Sequence, residues 1–168
     1  MSTLSQKRTK RLLVLGTVHG VQEQGNALSN EFKQVLLGLV ADYNIKAILE
    51  EWTYEPRVSV AATLASERLK WKNIGTPNEE IFETWCMPLN YHPAKHKEGY
   101  LYVSEYGPLE KQNARETFML SRIKKEMIDT DVGLVLVGLA HLHSMTDKLE
   151  VSGFDVTACY WLGSKSTH

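Results

Sequence analysis

Residues Val132–His143 read VGLVLVGLAHLH, seven apolar or glycine positions in a row and then a glycine three residues ahead of a histidine. Such a run offers water no polar face, so it predicts a strand buried on both sides and central in a parallel sheet. The same grammar opens the chain. Arg11–Val18 (RLLVLGTV) is a second apolar run and delivers another G-x-x-H, Gly16 to His19. From Ala27 to Tyr43 the period lengthens. Leu28, Phe32, Val35, Leu36, Leu39 and Tyr43 recur at three- and four-residue steps, as in an amphipathic helix, and Asn44 supplies a stop. Lys46–Trp52 (KAILEEW) is a third short apolar run, closed by two glutamates. Strand, helix and strand within about 40 residues form a βαβ unit with a right-handed crossover.

The rest of the chain extends this pattern. Arg57–Leu69 carries helical spacing through Val58, Ala61, Ala62, Leu64, Ala65 and Leu69. Thr76, Pro77 and Glu79 form a capping box that predicts a short helix through Trp85. Met87–Leu109 has no period but holds Pro88, Pro93, Gly99, Gly107 and Pro108 among several tyrosines, which suits a lid or binding loop. Glu110–Ile128 reads as a helix with Ala114, Phe118, Met119, Ile123 and Met127 inward. Ser144 and Asp147 resemble a capping box for a short helix to Val151, stopped by Gly153, and Phe154–Leu162 is a last strand. The expected fold is therefore one α/β domain over residues 1–168. It has a central, mainly parallel sheet flanked by helices, an irregular inserted lid at 87–109 and a flexible tail at 1–10.

Composition agrees and excludes several classes. At 168 residues, with 43% apolar and 23% charged positions, the chain matches ordinary globular proteins rather than disordered, collagen-like or coiled-coil ones. Nineteen basic against twenty acidic residues leave a net charge of -1, so there is no global field for generic nucleic-acid or acidic-membrane binding. Cys86 and Cys159 form no C-x-x-C pair and read as free thiols in a reducing compartment. No stretch approaches the ~18 apolar residues of a membrane span, and the basic start lacks a small-residue cleavage site. The expected location is cytoplasmic.

Function in a parallel sheet gathers at the carboxyl ends of the strands. Here those ends carry His19, the pair Glu50–Glu51, and His141, with His143 close by. Neutral imidazole with carboxylate suits Zn, Mn, Fe or Co, so His19 and His141 with Glu50 or Glu51 could ligate a divalent metal that activates water. The same groups without metal could serve as general base and electrostatic orienter. The residues alone leave both chemistries open. There is no Walker loop and no G-x-G-x-x-G, which argues against dedicated nucleotide binding.

These residues, in this order, resemble the TraB/PrgY/Tiki family, whose wider superfamily includes erythromycin esterase and the ChaN haem-binding proteins. The shared pattern is GTVH (Gly16–His19), Glu50–Glu51, an arginine followed four residues later by methionine, and GLAH (Gly138–His141). The arginine–methionine spacing selects Arg115 with Met119 rather than Arg122. Two departures are visible: the chain is shorter than most members, and His143 is an additional imidazole. Family members include a metal-dependent protease, a metal-independent esterase, a haem binder and peptide-pheromone shutdown factors.

The resemblance implies a hydrolase that directs water at a peptide, ester or amide carbonyl of a small-molecule or peptide substrate. His19, Glu50, Glu51, Arg115 and His141 would be its catalytic set, and Mn, Co, Zn or Fe its metal if one is used. Arg115 would stabilise developing negative charge. Tyr91, His92, His96, Tyr100 and Tyr102, with His143, would line a substrate lid, although the same tyrosines would suit a homo-oligomer interface. The alternatives are a haem or metal carrier using YHPAKH, a non-catalytic peptide-sequestering module, and a phosphoester- or nucleotide-directed enzyme.

Overall fold

The computed structural model describes residues 9–52, 57–76 and 109–163, with backbone only at 109–112. The expected helix at 77–85, the lid residues Tyr91, His92 and Tyr100, Cys86, residues 1–8 of the expected tail and residues 164–168 lie outside the described residues.

Strand β1 (Arg11–Thr17) runs into a one-turn helix α1 (His19–Gln22), then helix α2 (Ser29–Asp42) and strand β2 (Ala47–Glu50). A 3-10 turn at Ala62–Leu64 precedes strand β3 (Lys70–Asn73). Helix α3 (Leu109–Glu126), strand β4 (Val132–Gly138), a 3-10 turn at Leu139–His141, helix α4 (Leu142–Val151) and strand β5 (Asp155–Trp161) complete the order. The five strands form one sheet ordered β3-β2-β4-β1-β5, and every pairing is parallel. The run that begins at Val132 is indeed the central strand, flanked by β2 and β1. Each of its residues is buried.

Side chains alternate across the sheet, as the pleat requires. Leu12, Val14, Ala47, Leu49, Val135 and Val137 face one layer, where Met119, Ile123, Leu142, Met145 and Leu149 of α3 and α4 cover them. Leu13, Leu15, Ile48, Leu134 and Leu136 face the other, against Phe32 and Leu36 of α2 and Val60 and Ala61. From β1 through β3 the chain steps one way along the sheet, and from β3 through β5 it steps back. Right-handed crossovers made in opposite directions put their helices on opposite faces, which is the observed layering.

Three expectations need correction. Arg57–Leu69 is not a helix. Ser59 Oγ caps only a short turn by accepting the Ala62 N–H at 2.9 Å, and Ser66 Oγ accepts the N–H groups of Arg68 and Leu69. These local side-chain bonds offer the backbone an alternative to helix. Lys70–Asn73 is then an edge strand whose lysines are more exposed than Trp71 and Asn73, a common way to keep an edge from pairing further. Second, α3 is rotated from the expected setting: Ala114 is exposed and Glu116 is buried in its place. Third, α4 begins at Leu142, directly from the 3-10 turn, so Ser144 lies inside the helix rather than capping it. Asn44 does stop α2, at φ 53°, and Gly153 ends α4 at φ 88°, both left-handed conformations. Among the described residues no helix is long and apolar enough to cross a membrane.

Phe32 is fully buried and stacks on Trp161 with ring centroids 5.3 Å apart, joining α2 to β5. Phe32→Ala is expected to cost about 3–5 kcal/mol by the usual cavity and transfer terms. Leu37→Ala, at a 40% exposed position one residue past Leu36, should stay within about 0.5 kcal/mol. Urea denaturation measures both; equal costs would contradict the facing of α2.

Candidate active site

The chain leaves β1 and β4, which are neighbours, toward opposite faces of the sheet. Their carboxyl ends therefore bound a crevice of the kind that receives ligands in parallel sheets. His19 follows β1 after one residue and His141 follows β4 at the end of the 3-10 turn. Gly138 makes room for the approach of His19. A Cβ there would stand 2.7 Å from His19 Nε2, so only glycine lets the imidazole lie on the end of β4.

Glu51 is the centre of the arrangement. It continues the Ala47–Leu49 side of β2, and its N–H donates to the Leu136 carbonyl at 2.8 Å, which carries the β2–β4 pairing one residue further. Its carboxylate is 0% exposed. Arg115 Nη2 on α3 donates to Oε1 at 2.5 Å, and the Gly138 N–H donates to Oε2 at 3.0 Å. His141 Nε2 stands 3.6 Å from Oε1 and His19 Nε2 3.8 Å from Oε2. Burial alone would raise the pKa of this acid. The charges of His19, His141 and Arg115 and the Gly138 N–H outweigh it and hold Glu51 at about 2.

Each imidazole is oriented from behind. His141 Nδ1 lies 2.9 Å from Glu116 Oε1. Glu116 Oε2 accepts from Lys148 Nζ at 2.6 Å and also from the Ser144 hydroxyl. Although burial opposes it, the bonds from His141, Lys148 and Ser144 keep Glu116 ionised, with a pKa of about 2. An ionised carboxylate only accepts, so His141 carries a proton on Nδ1 and turns Nε2 to the crevice. His19 Nδ1 lies 2.7 Å from Gln22 Oε1.

The neighbouring glutamates separate completely. Glu50, one residue earlier, points to the α2 layer, where it accepts from Ser59 Oγ at 2.6 Å, Trp71 Nε1 at 2.7 Å and Gln22 Nε2 at 3.0 Å. Burial outweighs these three bonds and pushes its pKa up to about 7. The structure thus brings together His19, Glu51, Arg115 and His141, and sends Glu50 to the opposite side of the sheet. His143 is exposed on the first turn of α4, apart from this group.

Sequence reasoning missed Glu116, Gln22 and Lys148. Glu116 had a signal: positions 116, 119, 123 and 127 form one stripe at steps of three and four, and a charge inside an apolar stripe needs a partner. Gln22 lies one turn after His19, but a four-residue helix has no periodicity to read.

Among the described residues no three His, Cys, Asp or Glu side chains are placed to hold a metal ion. At Glu51 the Arg115 guanidinium already occupies Oε1.

The arrangement is that of a buried imidazole–carboxylate–arginine site at a sheet switch point. No protein-family model, curated protein or solved structure matches the chain, so this class rests on the geometry.

Glu51 and Glu116 titrate near 2 when folded, below the ordinary 4.5, so the unfolded chain takes up protons first on acidification. The stability they contribute is present above pH ~4.5 and is lost as pH falls toward 2. Glu50 acts in the reverse sense. Raised from 4.5 to about 7, its contribution is complete below 4.5 and fades as pH rises through 7. Denaturation midpoints taken across this range should show an acid limb and a neutral limb, and Glu50→Gln should remove only the neutral one. A midpoint flat below pH ~4.5 would contradict the ionised, buried state of Glu51 and Glu116.

Proposed function

We propose that the protein is a TraB/Tiki-like hydrolase that attacks a carbonyl-type bond with water activated by imidazole and without a resident metal. The observation that supports this most is the convergence of His19, His141, Arg115 and ionised Glu51 from four separate elements on one crevice. Apolar strand ends have no packing use for such groups.

In this reading an imidazole Nε2 takes a proton from water as the water oxygen attacks the carbonyl carbon. Glu51 stabilises the imidazolium so formed, because its carboxylate lies within 4 Å of both Nε2 atoms. Negative charge appears on the carbonyl oxygen, and the guanidinium of Arg115, fixed by Glu51 and mostly buried, faces it without reorganisation. Collapse of the tetrahedral intermediate breaks the bond to the leaving group, which receives the proton back from the imidazolium. The substrate is a neutral or weakly charged ester, amide or peptide. A haem or peptide carrier, or a nucleotide-directed enzyme, would not require both imidazoles to turn Nε2 toward one carboxylate.

A panel of esters, lactones, amides and peptides tests the reading. His19→Ala and His141→Ala should each lower kcat by about 10²–10⁴-fold. Arg115→Lys should lower it by roughly 10²-fold while the protein stays folded, since charge is kept but the planar fork is lost. Dialysis against a chelator should leave activity unchanged. Loss on chelation with recovery in Mn, Co, Zn or Fe would mean that Arg115 yields Glu51 to a metal, and full activity in both histidine variants would end the hydrolase reading.

A further inference from the structure

Glu50 stands across the sheet from the crevice and has no place in the reaction just described. It is nevertheless wired to it. Trp71 Nε1–H can only donate, and it meets Glu50 Oε2 at 2.7 Å. Ser59 Oγ accepts the Ala62 N–H at 2.9 Å, and its own hydrogen goes to the same Oε2 at 2.6 Å. Both donors make Glu50 Oε2 an acceptor. The Gln22 amide lies between Glu50 Oε1, 3.0 Å from Nε2, and His19 Nδ1, 2.7 Å from Oε1. An amide has one donating and one accepting end, so its orientation follows from its neighbours. With Glu50 ionised, Oε1 also only accepts, so the NH2 end faces Glu50 and the oxygen faces His19. His19 Nδ1 must then carry the proton, and Nε2 is the acceptor that looks toward Glu51.

We propose that Glu50 is a positioning residue that sets the tautomer of His19 through the amide of Gln22. Trp71 and Ser59 hold Glu50 Oε2 in its accepting role, and the chain of bonds passes from Glu50 through Gln22 to His19. A flipped amide would place two acceptors face to face at ionised Glu50 and would move the His19 proton to Nε2, where it could no longer take one from water. His141 reaches the same tautomer by a different device, the ionised Glu116. The kinetic consequence rests on the hydrolase reading; the tautomer itself does not.

The test uses the full chain with 15N-labelled histidine, and the signal absent in His19→Gln assigns His19. In the wild type, neutral His19 should show the Nδ1–H pattern of ring-nitrogen shifts and couplings. In Glu50→Gln the amide introduced cannot accept from Gln22 and also from Trp71 and Ser59, so the pattern should shift toward Nε2–H. In the same variant kcat should fall by about 10- to 100-fold, the usual scale for a group that orients a working imidazole, with KM little changed. The exchanged pair, Gln22→Glu with Glu50→Gln, gives every donor an acceptor again and keeps one buried acid, so it should recover both the Nδ1–H tautomer and most of the kcat. A wild-type His19 found as Nε2–H, or an unaltered tautomer in Glu50→Gln, overturns the proposal, and the wild-type measurement decides even if the single variant does not fold. A tautomer that shifts as described with no hydrolysis to measure in any variant would retain the positioning role and remove the hydrolase reading instead.

Discussion

A fully buried glutamate at the end of a strand is expensive unless its charge is met, and Glu51 is met from every side. Its two oxygens take the Arg115 guanidinium and the Gly138 N–H, and two imidazoles stand within 4 Å. Removing an ion from water costs several kcal/mol, and only well-placed partners offset it. Those partners come from α3, the end of β4 and the segments after β1 and β4. The requirement to satisfy Glu51 therefore ties the helix layer to three strand ends. It explains why Gly138 is a glycine, why α3 turns Glu116 inward beside Arg115, and why the crevice is polar between two apolar layers.

The histidines make a second pattern. Both present Nε2 to the carboxylate, yet they are backed by unlike acceptors: an ionised carboxylate neutralised by Lys148 for His141, and an amide oxygen for His19. A charged backer and a neutral one put the two imidazoles in different fields. This asymmetry follows from the fold. His141 borders the α3/α4 layer, where Glu116 and Lys148 reach it, whereas His19 opens α1 on the α2 layer, where Gln22 and Glu50 lie.

Glu50 and Glu51 show how strongly the pleat separates adjacent residues. Successive side chains on a strand point to opposite faces. One glutamate is thereby held ionised among cations, and the other is kept among Trp71, Ser59 and Gln22 with its pKa pushed up to about 7. Identical side chains one residue apart thus ionise at different pH.

The amino-acid sequence alone determined the apolar strands β1, β2 and β4, the helices α2 and α3, the parallel sheet and the placement of His19, Glu50–Glu51 and His141 at strand ends. All of these follow from local periodicity and from glycine spacing, which a short window contains. The resemblance picked out Arg115 in the same way, from a four-residue spacing. Tertiary structure alone decided which glutamate serves the crevice, because alternation fixes that the two diverge but not which layer holds Arg115. It also decided that Lys70–Asn73 pairs as an edge strand, since four residues with two lysines carry no signal until β2 offers a partner. The acceptors behind the histidines were equally invisible. Glu116 meets His141 across 25 residues and Gly138 meets Glu51 across 87, and hydrogen bonds between such distant positions exist only once the crossovers have folded α3 and β4 against β2.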